Sequence, residues 1–361
     1  MNDMTRLQLR RFAIACMACV VAFFLVVLAG GVVRSTGAGM GCPDWPKCFG
    51  QYVPPTSVKE LPPDYREIYA AKRKKKNERF ARYLRLLGKE EVAERILNDP
   101  AVYIEQPFNA AKTWTEYVNR LVGALSGLVM LLTTIAAFRL RKLRKVWFWH
   151  CLGALVLLVF QAWIGSIVVS TNLLPGMITL HMLLAMALIA WMLWVWTDVR
   201  AFMQKPAERV VVPAASLWLL RGSYALLGLL LTWQIIEGTG VRETVDGVAQ
   251  QMGEAARAYW VDGLDAVLPL HRWLSVGVIL VACVAAALTF ALSSSAFLKK
   301  AAMGIGALLS WEAAVGMTLA WNAMPFYLQP LHLLVALVAW AWCFAAWAWL
   351  LKNPGGKALF S

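Results

Sequence analysis

Only four histidines occur in this chain of 361 residues, and three of them, His181, His271 and His332, sit in long apolar runs. An imidazole in hydrocarbon has no water to bond with, and an unpaired polar group there costs several kcal/mol. Ionisable groups at such depth face the interior of a bundle and mark function. Two imidazoles facing each other across a bundle can hold a haem iron from both sides. His271 and His332, separated by 61 residues on helices read as parallel, suit that role. The plainer alternative is that each histidine bonds to the backbone or to a glutamine of a neighbouring helix. His150, among Trp147, Trp149 and basic residues, reads as interfacial.

Two arginines follow the ligand positions directly, Arg272 after His271 and Arg120 after Asn119. A guanidinium at the outer interface can bind a haem propionate with two parallel hydrogen bonds; snorkelling to lipid headgroups is the alternative. Asn119 stands where the second half has His271. Glu116, on the same side of its helix by i,i+3 spacing, has only Leu268 as its counterpart. One half thus carries two imidazoles, and the other carries one imidazole, an amide and an added carboxylate. That asymmetry suits an electron-transfer site beside a reaction site. The competing role for Glu116 is capping or solvating the outer start of its helix, where acidic groups are favoured.

Helices spanning a membrane must position these residues. The chain is 60% hydrophobic and 16% charged, too apolar for a soluble protein of its size. Apolar runs with at most one charged residue each, near 12–33, 119–138, 146–170, 178–197, 215–236, 271–292, 301–321 and 331–351, approach the ~20 residues that cross a hydrocarbon core. The first does not read as a cleaved signal peptide, because it is longer than a typical h-region and lacks a cleavage site. The expected class is an all-α integral membrane protein of eight transmembrane helices. Arg6, Arg10, Arg11, the cluster Arg139–Lys145, Arg200, Lys205, Arg209, Lys299, Lys300, Lys352 and Lys357 fall at alternate connections, which predicts cytoplasmic termini. A bacterial cytoplasmic membrane is the simplest location. The net charge of +14 comes mostly from these anchors and one outer loop, so nucleic acid need not be invoked.

The text also repeats. Leu180-His181-Met182-Leu183-Leu184-Ala185 matches Leu331-His332-Leu333-Leu334-Val335-Ala336, and Asn172 and Pro175 match Asn322 and Pro325. Asn119-Arg120-Leu121 matches His271-Arg272-Trp273, and Gln161 with Gly165 matches Glu312 with Gly316. The offsets agree, 152 residues from Asn119 to His271 and 151 from His181 to His332. Two parallel four-helix-bundle repeats follow, one over 1–200 with a long outer loop at 34–118 and one over 201–361. Within the loop, Tyr65 to Leu97 reads as a helical, solvated outer segment bearing Lys72-Arg73-Lys74-Lys75-Lys76. Such a long loop translocates largely regardless of charge.

Of seven cysteines, Cys42 and Cys48 bracket a short stretch of that loop, where an oxidising face favours a disulfide, structural by default and redox-active in the sharper reading. Cys16 and Cys19 form a C-x-x-C in the first span; they, Cys151, Cys283 and Cys343 read as core.

Gly30-Gly31-Val32-Val33-Arg34-Ser35-Thr36-Gly37-Ala38-Gly39-Met40-Gly41-Cys42-Pro43-Asp44-Trp45-Pro46 resembles the signature of the haem A synthases. Glu116-Tyr117-Val118-Asn119-Arg120 resembles their second-helix motif, and the two Leu-His segments fit their fourth and eighth helices. The resemblance spans nearly the whole chain. It implies a membrane oxidoreductase that converts haem O to haem A, oxidising a ring methyl to a formyl group by successive hydroxylations, for terminal oxidase biogenesis. It further implies resident haem b on His271 and His332 with Arg272 nearby. Substrate haem O would sit in the first half on His181, near Asn119 and Arg120, with Glu116 beside the reacting methyl. Many members have histidine where this chain has Asn119, which puts a bis-histidine substrate site in doubt. The lipid bilayer, a redox partner not identified by sequence, haem O synthase, oxidase assembly factors and a second copy of the chain are the partner classes considered.

Two other functions compete. A non-enzymatic di-haem b-type cytochrome would place haems near both membrane faces, whereas these histidines cluster at one. A transporter would want broken helices or charges at mid-depth, and neither stands out.

Overall fold

A computed structural model describes residues 3–44, 46–86, 88–98, 103, 107–171, 176–204 and 214–352. Trp45, Asn172, Pro175, Lys205, Arg209 and Lys357, used in the sequence argument, lie outside the described residues. Ten α-helices run in chain order: α1 Asp3–Ser35, α2 Tyr65–Leu86, α3 Glu90–Asn98, α4 Ala110–Arg139, α5 Lys145–Ser170, α6 Met177–Met203, α7 Ala214–Met252, α8 Leu268–Leu292, α9 Ala296–Trp321 and α10 Leu328–Lys352. Eight of them, all but α2 and α3, are long and apolar enough to cross a membrane. No named strand occurs among the described residues.

Each expected span is present, and the fifth is longer than expected. The segment after 236 reads as loop from its charges, yet α7 continues to Met252 and a 3-10 stretch follows at Glu254–Leu264. Val241, Val245, Val248 and Ala249 keep helical spacing and pack with Trp260, Leu264 and Met324. Arg242 pairs with Asp246 one turn on, so the charges support this extension rather than interrupting it.

The helices form two rings. α1, α4, α5 and α6 contact one another in that cyclic order, as do α7, α8, α9 and α10. The rings join through α1, α6, α7 and α10. Opposite members of a ring, α4 with α6 and α8 with α10, therefore face each other across an interior. One apolar cluster runs through both rings, with Trp147, Tyr224, Met192 and Leu337 among its buried members. Cys16, Cys19, Cys151 and Cys343 are buried, but Cys283 is exposed. Its face of α8 is opposite the buried Val278–Ala282–Ala285–Thr289 line. A thiol, small and weakly polar, tolerates a lipid-facing surface.

The repeat extends to close packing. A Cβ added to Gly153 would meet the Trp191 ring at 2.8 Å, and one added to Gly304 would meet the Trp342 ring at 2.1 Å. The two pairs occupy matching places in the two halves. Each glycine lets an indole from the next helix lie against backbone. Gly304→Ala should therefore overpack the α9–α10 seam, costing about 1–3 kcal/mol. A lowered thermal midpoint in detergent, with Gly306→Ala unchanged because nothing lies within 4 Å of its added Cβ, checks this.

Candidate functional site

Glu116 lies in the first turns of α4 and is 2% exposed, so it does not solvate the helix start. Its Oε2 accepts from the Cys42 N–H at 2.8 Å and its Oε1 from Arg120 Nη2 at 2.5 Å. Arg120 also donates to Cys42 O at 2.5 Å, to Lys47 O at 3.4 Å and to Asp44 O. Its guanidinium is thus turned onto the outer loop. Thr113 Oγ1 donates to Gly41 O at 2.8 Å, and a Cβ on Gly41 would come within 2.7 Å of the Lys112 carbonyl. The loop backbone lies directly on α4.

The expected disulfide joins Cys42 and Cys48, with Cα atoms 5.1 Å apart. Both residues are fully buried beneath Phe49, Leu61, Tyr65 and Tyr69. Phe49 meets Tyr65, Tyr69 and Phe108 edge-on, with ring centroids 5.9, 5.2 and 5.7 Å away. The segment between α1 and α4 is therefore a packed lid in which α2 inserts Tyr65, Tyr69, Arg73, Asn77 and Ala81. From that helix Lys76 donates to Ser166 O near the C-terminal end of α5, at 2.7 Å. Desolvation and the neighbouring Arg120 and Arg73 charges hold the Lys76 pKa below its usual value.

The three interior histidines share one local arrangement. A glycine on the neighbouring helix abuts each ring: added Cβ atoms at Gly165, Gly238 and Gly316 would lie 3.2, 3.3 and 3.5 Å from Cε1 of His181, His271 and His332. Four residues before each glycine stands Gln161, Gln234 or Glu312. Gln161 Nε2 donates to His181 O at 2.7 Å, and Gln234 Nε2 donates to His271 O at 3.0 Å. Gln234 Nε2 is also 3.2 Å from both ring nitrogens of His271. Glu312 Oε2 lies 2.8 Å from His332 Nδ1, at ion-pair distance but out of hydrogen-bond alignment. His271 and His332 are within electrostatic reach of each other. Part of the plain alternative thus holds, since a glutamine does partner His181 and His271, but mostly through the backbone carbonyl.

Sequence reading found two of these three glycine pairs and missed Gln234 with Gly238. The signal was available as Gly238-Thr239-Gly240-Val241-Arg242, which repeats Gly30-Gly31-Val32-Val33-Arg34. By that match Gly30 is the counterpart of Gly238, and a Cβ there would meet nothing within 4 Å. The neighbouring α4 lacks a histidine where α8 has His271: Asn119 stands there, half-buried, with no side-chain partner among the described residues. Arg34 and Arg242, the matched arginines, converge on one carboxylate. Arg34 Nη2 is 2.7 Å from Asp246 Oδ2, and Arg242 Nη2 is 2.6 Å from Asp246 Oδ1.

The donor set fits a haem. Five buried polar atoms without a hydrogen-bond partner belong to these groups: Gln161 Oε1, His181 Nδ1, Gln234 Oε1, Glu312 Oε1 and His332 Nδ1. Orphaned atoms gathered around imidazoles are what a site leaves when its ligand supplies the missing contacts. No group of three or more His, Cys, Asp or Glu residues that could hold a bare metal ion occurs among the described residues. Arg272 is exposed, and its guanidinium has no partner among them. His150 accepts from Trp191 Nε1 at 3.0 Å near the far end of the bundle, away from the other three.

This is a polytopic helical membrane protein with histidine sites inside each of two bundles. Residues 12–83 and 90–344 match the COX15-CtaA family, described as cytochrome oxidase assembly protein. The chain belongs to that family. It is similar to Heme A synthase of Bartonella tribocorum, 22% identical over 346 residues and covering 89% of this chain and 87% of that protein. Heme A synthase of Rhizobium etli (strain ATCC 51251) is 23% identical over 353 residues, with 91% and 86% covered. Heme A synthase of Methylobacterium sp. (strain 4-46) is 26% identical over 361 residues, with 92% and 89% covered. No solved structure matches the chain.

Arg120→Ala should release the loop from α4, since it removes charge-assisted bonds to backbone carbonyls. Amide exchange across 42–48 should then rise by roughly tenfold or more, while exchange in α8 and α10 stays unchanged. Hydrogen exchange with mass spectrometry measures both.

Proposed function

We propose that this protein oxidises a ring methyl of haem O to the formyl group of haem A, with resident haem b in the second half and the substrate in the first. Its place among enzymes of haem A biosynthesis for terminal oxidase assembly follows from the family and its curated relatives. The observation that carries the finer reading is the threefold histidine–glycine–Gln/Glu arrangement. It is doubled in the ring of α7 to α10 and single in the ring of α1, α4, α5 and α6. The ring with two imidazoles suits a closed, six-coordinate iron. The ring with His181 alone, Asn119 opposite and open space at Gly30 suits a haem that must enter and leave.

Resident haem b would supply a one-electron carrier between substrate and an external acceptor. His271 and His332 would hold it, and Glu312, 2.8 Å from the His332 ring, would place a negative charge beside that ligand. Arg272, exposed at the outer end, is available to a propionate. Arg120 is not equivalent to it, being committed to the loop, so its role in the first half is to hold Glu116 and the lid. His181 would bind the substrate iron.

Written with water as the oxygen source, methyl to alcohol and alcohol to hydrated aldehyde each consume one water and release two electrons, to be passed one at a time to the external acceptor, and two protons; loss of water then leaves the formyl group. Glu116 would accept a proton or stabilise positive charge developing on that carbon. A carboxylate has about four lone-pair sites, so the bonds from Cys42 N–H and Arg120 leave capacity for a further donor. Burial under the lid keeps bulk water from competing for it.

Haem chromatography after co-expression with a haem O source tests the reading. Wild type should yield haem b with haem A. Glu116→Ala should keep haem b and lose haem A, and His271→Ala should lose haem b. Haem b alone in both wild type and Glu116→Ala would point to a di-haem electron-transfer protein. Glu312→Gln should keep haem b but raise its midpoint potential, by about 59 mV if removing the charge costs the ferric form tenfold in relative affinity. Redox titration of the purified protein measures it.

A further inference from the structure

Opposite the histidines, where α1 begins and α6 ends, a cavity of about 140 Å³ is lined by Arg6, Arg10, Arg200, Met203 and Gln204. Three guanidinium groups line it, and no carboxylate among the described residues does. None of the three makes an ion pair or a side-chain hydrogen bond with any described residue. The acids of these two helices do not neutralise it. Asp198, two residues before Arg200, is occupied by Lys352 Nζ at 2.9 Å, Trp147 Nε1 at 2.8 Å and Arg144 Nη2 at 3.3 Å. Asp3 is exposed and makes no ion pair among the described residues. Arg6 and Arg10 sit at i,i+4 on one face of α1, where like charges repel. Arg200 is only 5.7 Å from the Trp196 ring centroid, a contact that leaves its donors unused. Gln204 Oε1, against the same cavity, is a buried polar atom with no partner.

We infer that this cavity binds the phosphate of an anionic glycerophospholipid. Guanidinium groups match phosphate oxygens with paired hydrogen bonds, and a phosphodiester supplies the negative charge that the three arginines lack. The occupant is a lipid rather than a free anion because of where the cavity lies. It sits between the ends of two membrane-spanning helices, and Met4, Leu7 and Phe202 at those ends are exposed apolar side chains, 69%, 49% and 38% accessible, fit to meet acyl chains. By the positive-inside rule this end faces the cytoplasmic leaflet, and basic pockets between spanning helices on that side accept anionic headgroups. The site is independent of the haem reading, as it shares no residue with the histidine groups.

The full chain, reconstituted in phosphatidylcholine nanodiscs doped with phosphatidylglycerol and released into the gas phase, reports which lipid stays bound by native mass spectrometry. Wild type should retain phosphatidylglycerol over phosphatidylcholine by roughly tenfold. The triple variant Arg6→Gln, Arg10→Gln, Arg200→Gln should lose that preference and keep the wild-type haem content. Arg11→Gln, a neighbour that does not line the cavity, should retain the preference. No preference in wild type, or an unchanged one in the triple variant, overturns the proposal. Displacement of the lipid by inorganic phosphate also overturns it, in favour of a free-anion site. If the triple variant does not accumulate, Arg10→Gln and Arg200→Gln singly must each weaken the preference, and failure of both to do so refutes it.

Discussion

Inside a hydrocarbon slab a polar group has no water to fall back on, and the arrangement of this protein answers that constraint at nearly every buried polar position. Tyr224 shares a hydrogen bond with Thr289 at 3.0 Å, Trp340 donates to Thr232 at 2.9 Å, and Thr179 pairs with Thr239 at 2.7 Å. Ser and Thr hydroxyls elsewhere bond back to their own helices. Against that background the histidine groups stand apart, because there several buried donors and acceptors stay open. The membrane makes such openness expensive, which sets these groups apart from the rest of the buried polar residues.

The lid follows from the same constraint at the outer boundary. Glu116 is an ionisable group on a spanning helix, and burying its charge requires a partner and hydrogen bonds. Arg120 one turn on and the Cys42 amide provide them. Because Arg120 also takes the carbonyls of Cys42 and Lys47, the carboxylate, the disulfide loop and α4 become one unit. The aromatic cluster of Phe49, Tyr65 and Tyr69 then seats α2 over it. The buried carboxylate and the cover that excludes water from it are thus stabilised by the same bonds.

The two halves differ in ways a duplicated ancestor would not require. Gly30 has vacant space where a Cβ would be, whereas its counterpart Gly238 packs against the His271 ring. Gln161 bonds the His181 backbone, whereas Glu312 approaches the His332 ring. Each difference leaves the second half more closely packed and more charged around its histidines than the first. The close Gly–Trp seams at 153 with 191 and 304 with 342 stay alike in both, so the frame is shared and the difference is confined to the sites.

The class, the eight spans and the repeat were legible in the sequence because hydrocarbon selects on composition alone: twenty apolar residues read the same whatever packs beside them. His181, His271, His332, Glu116 and the Cys42–Cys48 pair could be singled out for the same reason, polar or reactive groups being few in such text. Helix length in α7 was not legible, since the charges of Arg242 and Asp246 look like loop until one sees them paired along a helix and joined by Arg34 from the other ring. Nor could adjacency alone show that Arg120 turns onto the loop while Arg272, beside the equivalent position, stays exposed. Side-chain direction is settled by what packs against it, and only the tertiary structure brings the loop to α4, Gln234 and Gly238 to His271, and Glu312 to His332.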